Sequence, residues 1–60
     1  MDLKTDLEQL KAYRDAIEAL PTFMVNRVDR KARELALVAE EIRETEKLMR
    51  AAGISVPDSN

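Results

Sequence analysis

The sequence predicts an all-α fold. The expected unit is an antiparallel helical hairpin, a short helix 1 followed by a longer helix 2, assembling into a homodimeric four-helix bundle. Three observations carry this reading. Two apolar series share a seven-residue spacing: Leu3, Leu10, Ile17 and Met24, with Leu7 beside them, then Val28, Leu35, Ile42 and Met49, with Ala32, Val38 and Ala39 beside them. A seven-residue repeat holds one side of a helix against a partner helix. Pro21 falls between the series, and proline ends or kinks a helix because it lacks an N–H and clashes with the preceding turn. The composition, 45% apolar and 37% charged with one Gly and two Pro, is that of long helices rather than of a disordered chain.

Helix 1 is expected over about residues 2–20. Asp2 can cap it, and Asp2 and Asp6 suit the positive N-terminal end of a helix dipole. Ala12, Ala16 and Ala19 flank the buried stripe and allow close approach, with Tyr13 at its margin. The break is expected at residues 20–22, where Pro21 pushes Leu20 out of the helical region. Helix 2 is expected over about 22–52, with Thr22 or Asn26 as its N-cap. The rival is one continuous helix kinked at Pro21, because Met24 keeps the heptad phase across it. Gly53 fits the left-handed position after a helix, and Ile54 can fold back onto Leu48 or Met49. The hairpin domain is thus residues 1–54, and residues 55–60 are expected to be a flexible C-terminal tail.

On these bounds the helices are unequal, about 28 Å and about 45 Å long at 1.5 Å per residue. Leu10 would lie near Ala32 and Leu3 near Ala39, so Ile42, Leu48 and Met49 would project past helix 1. A projecting apolar end marks an interface. Small chains also bury too little surface to be stable on one core. With no Cys and no His, disulfides and the commonest metal ligands are absent, which leaves oligomerisation. The expected oligomer or partner interface is Val28, Ala32, Leu35, Leu37, Val38, Ala39, Ile42, Leu48 and Met49.

Leu37 lies almost opposite the main stripe, with Leu48 and, on a regular helix, Phe23 on its side. These are either scattered surface apolars or a second seam. The charges around Leu37 are polarised, with Arg27, Arg30, Lys31 and Arg33 before it and Glu40, Glu41, Glu44 and Glu46 after it. Two copies of helix 2 crossing antiparallel near Leu37 would pair Arg30 with Glu44 and Arg33 with Glu41 of the other copy. The competing account is helix decoration at i,i+4, such as Arg30–Glu34 and Glu46–Arg50.

No enzyme is expected. Without Cys or His, a nucleophile and its base would have to come from a Ser or Thr with Lys or a carboxylate, and no metal or cofactor is called for. The formal charge of −2 gives no general attraction to phosphate or anionic lipid. No apolar run approaches the ~20 residues that cross a bilayer, and the N-terminus lacks the pattern of a signal peptide, so a cytoplasmic location is expected. The role expected is a small helical oligomerisation or protein–protein interaction module, structural or regulatory. Its partner is itself, as a homodimer or higher oligomer, or another helical protein. One alternative is an obligate small subunit docking on a larger protein. Another follows from architecture. Helical hairpins that dimerise into four-helix bundles resemble the plasmid regulator Rop, and that resemblance implies paired RNA as ligand, with the basic block of helix 2 as the contact.

Overall fold

A computed structural model describes residues 2–56. Its elements are α1 (Leu3–Glu18), β1 (Met24–Val25), β2 (Val28–Asp29) and α2 (Arg30–Ala51). The two helices pack against each other as the hairpin expected from the apolar repeats. The all-α expectation needs one correction, because the connection contains a two-stranded antiparallel sheet.

α1 starts where the sequence places it. The Asp2 backbone is extended and its carboxylate accepts the Lys4 N–H at 3.0 Å, satisfying a donor that has no partner inside the helix. The Thr5 hydroxyl donates to the other carboxylate oxygen at 3.0 Å. α1 closes on Ala19, two residues before Pro21, so the helix ends instead of kinking.

α2 starts at Arg30, not between Pro21 and Asn26. Two things displace it. Val25 and Val28 favour extended backbone and lie directly opposite each other across the strands. Asn26 and Arg27, the two-residue loop between them, both have positive φ, 51° and 66°, the mark of a type I′ turn, whose twist matches the flanking strands. The Arg30 N–H donates to the Phe23 carbonyl at 3.0 Å and closes the ring. Asp29, the last strand residue, is the N-cap of α2, its carboxylate accepting the Ala32 N–H at 3.0 Å. Neither Thr22 nor Asn26 has that role.

This later start shifts the register of the hairpin. Leu10 borders a groove with Tyr13, Glu41 and Thr45, rather than lying beside Ala32. The overhang expected for Ile42 and Met49 therefore does not exist. The core consists of Leu7, Ile17, Val38, Ile42 and Met49, with Leu3, Leu10, Leu35 and Val56 packed partly buried against it. Met24, in phase with the first apolar series, lies on β1 and is 59% exposed.

The C-terminal end closes as its glycine predicts. Gly53 has φ 74°, its N–H donates to the Arg50 carbonyl at 3.1 Å, and the Ile54 N–H donates to the Met49 carbonyl at 2.8 Å. This double bond pattern with a left-handed residue is the Schellman turn. It turns the chain back so that Val56 reaches the core, although a flexible tail was expected from residue 55. The remainder of that tail, residues 57–60, lies outside the described residues.

Lys31 fixes the other end of the helix pair. Its Nζ donates to the Glu18 carbonyl at 3.0 Å and the Leu20 carbonyl at 2.7 Å. α1 has no basic residue in its own last turn, so the first turn of α2 supplies the cation that its negative end favours.

Candidate interaction surface

The residues expected at an interface separate into two groups. Val38, Ile42 and Met49 are buried against α1, and Met49, 0% exposed, has no surface left to offer a partner. Leu35 and Ala39 are half-buried beside them. Ala32 is exposed, and Val28 is exposed on β2 rather than on a helix. Leu37 and Leu48 remain open on α2, 48% and 56% exposed.

Leu37 and Leu48 are eleven residues apart, three helical turns, and so share one face. At ~100° per residue, Arg30, Arg33, Glu41 and Glu44 all fall within roughly 40° of Leu37 around the helix. The outer face of α2 therefore reads, along its length, two cations, a leucine, two carboxylates and a leucine. A shallow groove bordered by Leu37, Glu40, Glu41, Glu44 and Thr45 runs along its acidic half.

The ion pairs divide the face unevenly. Arg30 is held by Glu34 at 3.0 Å, the i,i+4 pair, with the guanidinium NH2 donating to Oε1. Glu46–Arg50 does not form. Among the described residues the other ion pair is Arg14–Asp15. Arg33, Glu41 and Glu44 thus have no ion-pair partner within the described chain. Of the basic block, Lys31 is committed to the carbonyls of Glu18 and Leu20, which leaves Arg27 at the turn and Arg33 on the helix free of such contacts.

A second exposed apolar cluster was hidden in the sequence. Leu20, Phe23, Met24, Val25 and Val28 are all exposed around the β-hairpin. By sequence, these five apolar residues within nine positions fall at the break and in the first turns expected for helix 2. The signal that could have separated them is Val-Asn-Arg-Val, two β-branched residues spaced by a two-residue, Asn-led turn.

Among the described residues no charged or polar side chain is buried, no buried polar atom lacks a partner, and no group of three or more metal-ligating side chains comes together. No described helix is long and apolar enough to cross a membrane. In comparison with known proteins, the chain matches no family model, no curated protein and no solved structure.

Proposed function

We propose that the chain is a non-enzymatic, cytoplasmic helical interaction module that pairs with a second copy through the outer face of α2, giving four helices with the two α2 helices at the centre. The observation that carries this reading is the self-complementarity of that face. When two copies cross antiparallel at Leu37, Arg33 faces Glu41 of the second copy and Arg30 faces Glu44. Three of these four residues have no ion-pair partner in the described part of their own chain. Exposed pairs are worth only about 0–1 kcal/mol each, so they select orientation, while burial of Leu37 and Leu48 supplies the affinity. The interface proposed is narrower than the sequence suggests, since Val38, Ile42 and Met49 serve the core.

Sedimentation of the Arg30→Glu, Arg33→Glu double variant tests this. Dimerisation should weaken by roughly 0.5–2 kcal/mol, more at low salt. Adding Glu41→Arg and Glu44→Arg to the same chain should restore it, because every contact is rebuilt with reversed sign. A loss with no rescue, or a wild-type chain that sediments as a monomer, overturns the reading. A Rop-like contact with nucleic acid is less well supported, since Lys31 and Arg30 are already engaged within the chain. Salt-dependent retention on paired RNA would reverse that preference.

A further inference from the structure

We propose that the β1–β2 hairpin is the seat for Leu48 of the second copy, so that each copy clasps the far end of the other's α2. The inference rests on the antiparallel pairing above and extends it to the β-ribbon, which that pairing leaves unused. Along α2, Leu48 lies ~16 Å from the crossing at Leu37, whereas the second copy's α2 begins ~10 Å from it, at Arg30. Leu48 therefore overshoots the neighbouring helix by about one turn, ~6 Å at 1.5 Å per residue. The residues that immediately precede Arg30 in the chain are β2 of the hairpin.

The hairpin is suited to receive it. Val25 and Val28 are directly opposite in the strand register, so their side chains share one face, and both are exposed. Asp29, opposite Met24, is turned to the Ala32 N–H, which ties the other face of the ribbon to the start of α2. The turn itself holds Arg27 at φ 66°, a conformation that an L-residue with a side chain adopts only at a cost. Isolated two-stranded ribbons are marginal in water. Here the ribbon is held by the Arg30–Phe23 bond and the Asp29 cap, which leaves its valine pair presented rather than packed. In the same register, an apolar side chain without cover in its own chain meets an apolar pair without cover in the other. Six uncovered apolar side chains, three from each copy, are thereby removed from water around the central crossing.

Engineered cysteines test this, since the chain has none of its own. In one variant Leu48→Cys is combined with Val28→Cys; in another Leu37→Cys stands alone. Within one chain, positions 48 and 28 are separated by nearly the whole of α2, ~27 Å from Leu48 to Arg30, so a disulfide between them must join two chains. The seat predicts a covalent dimer from both variants under mild oxidation, with 48–28 linkages found by peptide mapping. A Leu37→Cys dimer without any 48–28 linkage overturns the seat and leaves the antiparallel pairing standing. A monomer by sedimentation, with neither linkage, overturns both. As a second readout, Leu48→Ala and Val28→Ala should each weaken dimerisation several-fold. Their combination should be little worse than either alone, since both remove the same contact. Fully multiplicative losses would mean that the two residues do not meet, and the seat would be wrong.

Discussion

The two ends of this hairpin treat the same kinds of residue in opposite ways. Met24 and Met49 both continue a seven-residue apolar series, yet Met24 is 59% exposed and Met49 is 0% exposed. At the C-terminal end of α2, the Schellman turn at Gly53 brings Val56 back against the core. That adds a third wall to a two-helix contact. At the opposite end the chain spends Met24, Val25 and Val28 on a ribbon with no layer over it. Heptad phase tells which way a side chain would face if the helix continued. Burial depends on whether any chain arrives to cover it.

The largest difference expected between the ends is in stability. Met49→Ala or Leu7→Ala should cost about 2–5 kcal/mol, as large-to-small changes in packed cores do. Met24→Ala should stay within about 0.5 kcal/mol, like a surface change. Chemical denaturation followed by circular dichroism, at concentrations low enough to hold the monomer, measures both. Equal losses would mean that the hairpin end is as packed as the other. A smaller effect is expected at the junction of ribbon and helix. Asp29→Ala should cost about 0.5–2 kcal/mol through loss of the cap, and Asp29→Asn or Asp29→Ser should recover most of it. The smallest effect has the opposite sign. Arg27→Gly removes the left-handed penalty of roughly 1–2 kcal/mol but gives the unfolded chain more freedom, so a net gain of a few tenths up to about 1 kcal/mol is expected. A loss there would show that the Arg27 side chain stabilises the folded state by contacts of its own.

Much of the helical frame was legible. The Leu3–Leu7–Leu10–Ile17 and Leu35–Val38–Ile42–Met49 series identify the packed faces, Asp2 the first cap and Gly53 the last turn, because each depends on residues close in sequence. The ribbon was not legible, since strands of two residues are too short to display a period of two against a background period of 3.6. Missing it misplaced the start of α2, and with it the register and the supposed overhang. Thr22 and Asn26 were equally good cap residues by type, and only the ribbon makes Asp29, before Arg30, the cap of α2. Lys31 read as part of the basic block, although its amine is spent on Glu18 and Leu20, eleven to thirteen residues earlier. That contact exists only once the chain has reversed. For the outer face of α2 the sequence already held the order of charges. It lacked the burial that removes Val38, Ile42 and Met49 from the surface.

The tight turn at Asn26–Arg27 also has a kinetic consequence. Nearly all long-range contacts among the described residues join α1 to α2, and the two-residue reversal closes Phe23 onto Arg30 with little loop-closure entropy, shortening the connection that must order before the helices meet. Hairpins of this kind form in about 1–10 μs, and helix propagation takes on the order of nanoseconds per residue. Once the ribbon, the Asp29 cap and the Lys31 bridge are in place, the helices can zip outward from that end, each turn adding contacts close to those already made. Met49 and Val56, at the far end of the zip, are then ordered last. The least buried part of the molecule would act as its nucleus, and the most buried part would report mainly on the rate of unfolding.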